Sequence, residues 1–155
     1  MSQYGFSRRG GMQVPPKSPV MQLLVVNLGL FLAGNLAFFV VLLFQGAGGA
    51  SALRNILSDW LAMPYNLEAF AFRPWTLLTA AFFHQGFFHF LFNMIFLYFL
   101  GGLLQTLHGA SKIWPLYLLG GILGNLFSFL IFQAPGTQAM FGASSLLGAS
   151  GALMA

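Results

Sequence analysis

A serine between two glycines lies near the end of the chain, in the stretch Gly148-Ala149-Ser150-Gly151. The glycines remove side chains from around the hydroxyl, so a substrate backbone could approach it closely. At the start of a helix, unpaired N–H groups and a partial positive charge would stabilise the oxyanion formed when serine attacks a carbonyl. The pattern indicates a nucleophile, although small residues also occur simply where helices pack closely in lipid.

His89 and Asn93 form a second candidate site. Four residues on a helix amount to about 40° of rotation, so the two side chains share a face. Polar side chains in a membrane span tend to face a protein interior or a water-filled cavity. Both can donate hydrogen bonds, which suits an oxyanion hole; the alternative is that they bond only to neighbouring helices.

Simple counting removes most metal and two-carboxylate chemistries. The only acids are Asp59 and Glu68, the only histidines are His84, His89 and His108, and there is no cysteine. On a single helix, His84 and His89 would point about 140° apart. The sequence therefore predicts neither a metal site nor a cofactor.

The composition indicates an integral membrane protein. Of the 155 residues 58% are hydrophobic and only 5% are charged, with a mean hydropathy of +0.81, against about 25% charged residues in soluble proteins. The formal charge of +4 comes from six dispersed basic residues, too few for a phosphate-binding stripe. We expect the lipid bilayer as a partner and no nucleic acid.

Uncharged runs divide the chain into membrane spans and connections. Each run approaches or exceeds the roughly 20 residues that cross the hydrocarbon region, and Pro115 falls in the first turn of the third, where its missing N–H costs little. The predicted parts are a flexible cytoplasmic tail (1–19) and one transmembrane domain (20–155), comprising TM1 (20–44), an interfacial loop (45–85), TM2 (86–107), TM3 (113–132), a loop (133–149) and the start of TM4 (150–155).

The long loop between the first two spans contains an amphipathic helical pattern. Its apolar positions are Leu53, Ile56, Leu57, Trp60 and Leu61, and its polar positions are Arg54, Asn55, Ser58 and Asp59. We expect this helix to lie at the membrane interface, where Trp and Tyr rings prefer to sit.

Basic residues beside the spans predict the orientation. Four of them, Arg8, Arg9, Lys17 and Lys112, precede TM1 or lie between TM2 and TM3, whereas the long loop has two, Arg54 and Arg73. The positive-inside rule then places the N-terminus in the cytoplasm. We expect a multi-pass protein, in the plasma (inner) membrane of a bacterium.

Taken together, these motifs resemble the rhomboid family of intramembrane serine proteases. The resemblance rests on residues 73–84 at the end of the long loop, the His89-x-x-x-Asn93 pair, the turn from Gly101-Gly102 to Lys112, and Gly148-Ala149-Ser150-Gly151. It implies an all-α, polytopic rhomboid-like helix bundle, here truncated to three complete transmembrane helices and the start of a fourth.

The resemblance also implies an activity, hydrolysis of transmembrane protein substrates. Ser150 would be the nucleophile of a serine-type endopeptidase, and His89 and Asn93 would stabilise the oxyanion together with the Ser150 N–H. The family's general base is a histidine on the sixth helix, and the sequence stops five residues after Ser150. We therefore expect a fragment that lacks the base and is inactive by itself.

One residue departs from the family pattern, and two other functions stay open. Gln105 stands near where many bacterial members carry a glutamate. The first alternative is a rhomboid-like pseudoprotease that binds transmembrane helices without cleavage. The second is a small structural membrane protein packed through Gly120, Gly121 and Gly124, of which the first and last form a small-xxx-small pair.

Overall fold

The computed structural model describes residues 14–15 and 17–133, and these are helical, without a strand. Ser150, the predicted start of TM4, nearly all of the loop before it and most of the N-terminal tail lie outside the described residues. The helices are α1 (Pro19–Leu61), α2 (Leu67–Phe72), α3 (Thr76–Thr79), α4 (Phe87–His108) and α5 (Ile113–Phe132), with a 3₁₀ turn at Ala110–Lys112.

Three of these segments are long and apolar enough to cross a membrane: Pro19–Leu61, Phe87–His108 and Ala110–Phe132. Large apolar side chains remain exposed along them; Phe44 is 83% and Phe127 66% accessible. Such surfaces suit contact with lipid rather than water. The prediction of an all-α bundle with three membrane-spanning helices is confirmed.

Helix α1 has two arms that meet at Gly46. The helix begins at the N-cap Ser18, whose hydroxyl accepts a hydrogen bond from the Met21 N–H at 3.2 Å. Gly46 has a φ of 70° and interrupts the helix, a conformation that a residue without a Cβ adopts easily. The first arm (residues 19–45) therefore runs slightly beyond the predicted span, and the second arm (residues 47–61) contains the amphipathic pattern of the long loop.

The C-terminal end of the second arm has no free backbone carbonyl. The Ser58 carbonyl accepts from the Ala62 N–H at 2.9 Å. The next three carbonyls accept from side chains of residues 73–79: Asp59 from Arg73 Nη1, Trp60 from Trp75 Nε1 at 3.0 Å, and Leu61 from Thr79 Oγ1 at 2.9 Å. The Trp60 and Trp75 rings also stack, with centroids 5.7 Å apart. These bonds fasten residues 73–79, which include α3, to the end of α1.

Two small apolar clusters hold the bundle, one at each end of α5. Val20, Leu23 and Ile113 are buried together where α1 and α5 begin. Met63, Phe129 and Phe132 form the second cluster where α5 ends. The start of α5 is thus fixed against the first arm, and its end against the chain that follows the second arm.

Candidate functional site

His89 and Asn93 both lie in the first two turns of α4, and both line one cavity of about 430 Å³. Gly86 is the N-cap of this helix, so His89 comes close to its start. The shared helical face that the spacing predicts is therefore present. We call this space the histidine cavity; its polar lining residues are His84, His89, Asn93, Tyr117, Asn125 and Ser128.

His84 lies close to His89, although the sequence reasoning placed the two apart. That reasoning assumed one common helix, but α4 begins only at Phe87 and His84 belongs to the preceding loop. The two ring centroids are 5.4 Å apart. The expected divergence is wrong because the loop, not the helix, sets the position of His84.

Burial lowers the pKa of His84 to about 4. Its Nδ1 lies 3.1 Å from the Phe82 carbonyl oxygen, which can only accept, so the proton of the neutral ring is on Nδ1. The ring is therefore uncharged at neutral pH, and Nε2 is left as a hydrogen-bond acceptor.

The segment that includes His84, residues 79–85, is held by α5. The Tyr117 hydroxyl donates to the Ala81 carbonyl at 2.9 Å and lies 3.3 Å from Asn27 Oδ1 on α1. Just before this segment, the Leu77 carbonyl in α3 accepts from Asn125 Nδ2 at 2.8 Å. Both side chains were overlooked in the sequence, where a tyrosine and an asparagine within an apolar span were the available signal.

Gly121 permits the close approach of α5 to this segment. A Cβ at Gly121 would lie 2.8 Å from the Ala81 Cβ, whereas a Cβ at Gly120 or Gly124 would meet nothing within 4 Å. The small-xxx-small pair therefore makes no close contact in the described part of the chain. The packing glycine is Gly121.

The histidine cavity offers few ligands for a metal. In the part of the chain that the structure describes, no group of three His, Asp or Glu side chains comes together. A catalytic zinc site normally takes three protein ligands. His84 and His89 by themselves fall short of that number.

The remaining sequence candidates lie elsewhere. His108 is the last residue of α4, about 30 Å along the helix from His89 at 1.5 Å per residue. Gln105 Oε1 is buried and, among the described residues, has no hydrogen-bond partner. The departure at Gln105 is thus near the end of α4 opposite the cavity. Ser150 lies outside the described residues, so its distance to the cavity is not defined.

The family model of the Rhomboid domain matches residues 71–155, more than half of the chain. The chain belongs to the rhomboid family. The matched region contains α3, α4 and α5, of which α4 and α5 form most of the histidine cavity, and continues through the Ser150 motif.

Curated relatives of this rhomboid chain include one named as a protease and one named as inactive. "Rhomboid protease GlpG" of Klebsiella pneumoniae is 32% identical over 47% of this chain and 28% of its own length. "Rhomboid protein 1, mitochondrial" of Saccharomyces cerevisiae is 42% identical over 50% of this chain and 22% of its own length. "Inactive RHOMBOID-like protein 8" of Arabidopsis thaliana is 33% identical over 48% of this chain and 20% of its own length.

The chain thus aligns with between a fifth and three tenths of the length of these relatives. No solved structure matches it significantly. The family assignment rests on sequence, and the fold on the structure described above.

Proposed function

We propose that the protein carrying these residues is an intramembrane serine endopeptidase that cleaves transmembrane protein substrates through Ser150. The observation that carries the proposal is the histidine cavity. Two hydrogen-bonding side chains of one membrane-spanning helix, His89 and Asn93, line this space together. The name of the Klebsiella relative, a rhomboid protease, supports the same activity.

The proposed reaction is acyl transfer. Ser150 Oγ attacks the scissile carbonyl carbon while its proton passes to a general base, and the carbonyl oxygen becomes an oxyanion. His89, Asn93 and the Ser150 N–H donate hydrogen bonds to that oxygen. The C–N bond then breaks, the amine leaves with the proton, and water hydrolyses the acyl ester.

The general base is assigned by family resemblance to a histidine of the sixth helix. None of His84, His89 and His108 has that place in the sequence. His108 is also separated from the cavity by the length of α4. The proposal therefore concerns a protein in which that sixth-helix histidine is present.

A fluorophosphonate probe on the natural membrane protein tests this assignment. We expect covalent labelling and cleavage of a transmembrane peptide, both abolished in Ser150→Ala. Ser145→Ala, a matched serine in the same stretch, should retain both. Cleavage that survives Ser150→Ala would refute the assignment.

A second candidate function is binding of transmembrane helices without cleavage. The relative named as inactive, 33% identical to this chain, favours it. In that case the probe would not label Ser150, yet the protein would still retain a transmembrane peptide in bicelles. Cleavage lost in Ser150→Ala would exclude this function.

We further propose that the N-terminus is cytoplasmic and that the protein resides in the plasma (inner) membrane of a bacterium. The start of α1 and the start of α5 are neighbours, since Trp114 Nε1 donates to Gln22 Oε1 at 3.1 Å, so Lys17 and Lys112 lie at one end of the bundle. Because the chain has no cysteine, a single Lys112→Cys or Glu68→Cys can report the side. An impermeant maleimide should label only Glu68→Cys in intact cells; the reverse would invert the orientation.

A further inference from the structure

A second cleft, of about 410 Å³, lies between the two arms of α1 and the segment 79–85. This volume is within the roughly 300–1,000 Å³ typical of small-molecule sites. Its walls are mainly apolar, formed by Leu30, Phe31, Phe38, Leu57 and Phe82 among others. Since Arg54 supplies the one charged side chain of the lining, we call it the Arg54 cleft.

The Arg54 guanidinium is held in place but not neutralised. Its central carbon lies 4.5 Å from the centre of the Phe38 ring, a cation–π contact that leaves the edge N–H groups free to bond. In the described part of the chain no carboxylate pairs with it; the two acids, Asp59 and Glu68, do not line the cleft. An exposed cation without a carboxylate partner, beside apolar walls, favours an anionic, amphipathic occupant.

The depth of the cleft matches that of a lipid. From Pro19 to Phe38 the first arm rises about 30 Å, which is the thickness of the hydrocarbon region. With Pro19 at one edge of the hydrocarbon region, Phe38 and the Arg54 cation against its ring come to the headgroup level of the opposite leaflet. Phe31, seven residues earlier, lies about 10 Å deeper, so the apolar walls run from headgroup level into the acyl-chain region.

We propose that the Arg54 cleft binds one anionic phospholipid, its phosphate on the Arg54 guanidinium and an acyl chain along Leu30, Phe31 and Phe82. The planar guanidinium can donate two parallel hydrogen bonds to phosphate oxygens. A zwitterionic lipid also carries phosphate, but its ammonium opposes the cation. The site is therefore selective for net negative charge and does not depend on the proposed proteolysis.

Native mass spectrometry of the full chain in detergent micelles tests the proposal with two probes, phosphatidylglycerol and phosphatidylcholine of identical acyl chains. We expect one retained phosphatidylglycerol, bound about fivefold more tightly than phosphatidylcholine, the ratio that one arginine near an anionic surface provides. Arg54→Gln should remove this preference. Arg73→Gln makes the same charge change outside the cleft, at a guanidinium bonded to the Asp59 carbonyl, and should keep it.

A second pair of variants tests the acyl-chain part of the cleft without changing charge. Gly34 lines the cleft, and a Cβ there meets nothing within 4 Å, so Gly34→Leu fills the space without disturbing the helix. It should lower the retention of both lipids. Gly29 is equally open but does not line the cleft, and Gly29→Leu should bind as the wild type does.

Three outcomes would overturn the proposal. Equal retention of the two lipids by the wild-type chain would show an unselective lipid-facing surface. An unchanged preference in Arg54→Gln would place the anion elsewhere. A wild-type dimer that becomes monomeric only in Gly34→Leu would show that a second copy of the chain occupies the cleft.

Discussion

The histidine cavity and the Arg54 cleft are similar in volume but differ in chemistry. The first, about 430 Å³, contains two imidazoles, two amides and two hydroxyls; the second, about 410 Å³, contains mainly apolar groups and a single guanidinium. They share the side chains of Phe83 and His84. One short segment therefore separates a polar space from an apolar one within the same bundle.

The faces of that segment explain the difference. Ala81 lines only the histidine cavity, and Phe82 only the Arg54 cleft. Tyr117 holds the first side through the Ala81 carbonyl, while Gln85 Nε2 donates to Ser58 Oγ at 2.9 Å and holds the other side to the second arm. A substitution that moves residues 79–85 should change both the histidine cavity and the Arg54 cleft. A substitution at a residue that lines only one of these two spaces should change only that space.

The largest expected effect separates the two spaces by activity. Asn93→Ala in the natural protein removes one proposed oxyanion donor from the histidine cavity and should lower kcat for a transmembrane peptide by about 10²-fold. Asn35→Ala removes an amide from the Arg54 cleft, where Nδ2 donates only to the Phe31 carbonyl, and should leave kcat unchanged. Full kcat in Asn93→Ala would remove this residue from the proposed oxyanion hole.

An intermediate effect should disturb both spaces at once. In Gly121→Ala the new methyl group would meet the Ala81 Cβ at 2.8 Å, and such overpacking costs typically about 1–3 kcal/mol. Gly120→Ala, one residue away and open, should unfold like the wild type. Denaturant unfolding in mixed micelles measures the difference in the free energy of unfolding. Equal values for the two variants would mean that residues 79–85 can move away from α5 without loss of stability.

The smallest expected effect concerns the ring that both spaces share. Because burial lowers the pKa of His84 to about 4 from about 6.5 in an unfolded chain, the unfolded state binds more protons between these values. The free energy of unfolding should then be unaffected by this group above pH 6.5 and should fall as the pH is lowered toward 4.

Unfolding at pH 7 and pH 5 measures this loss. His84→Gln should remove that part of the pH dependence, whereas His108→Gln, at an exposed position at the far end of α4, should retain it. An identical pH dependence in His84→Gln and the wild type would contradict the assignment.

Much of the fold could be predicted because lipid imposes a strong constraint on sequence. Charge-free runs gave the three spans, since every backbone polar group in the hydrocarbon must be bonded within a helix. The face shared by His89 and Asn93 followed from helical spacing alone. These features depend on residues that are close together in the chain.

The contacts made by loops could not be predicted in this way. The proximity of His84 to His89 depends on where α4 begins, and the close approach at Gly121 depends on Ala81, forty residues earlier. The fold-back at Gly46 was not foreseen either, because a glycine inside an apolar run is equally compatible with a continuous helix. Helical periodicity reports the face of one helix but not its partner.

The bonded carbonyls at Asp59, Trp60 and Leu61 have a consequence for where the second arm can reside. A helix C-terminus ordinarily has to face water, because its last carbonyls lack N–H donors within the helix. Here Arg73, Trp75 and Thr79 take the place of that water. The C-terminal end of the second arm can therefore lie below the lipid headgroups. Its depth is limited by the charges of Arg54 and Asp59 rather than by its backbone.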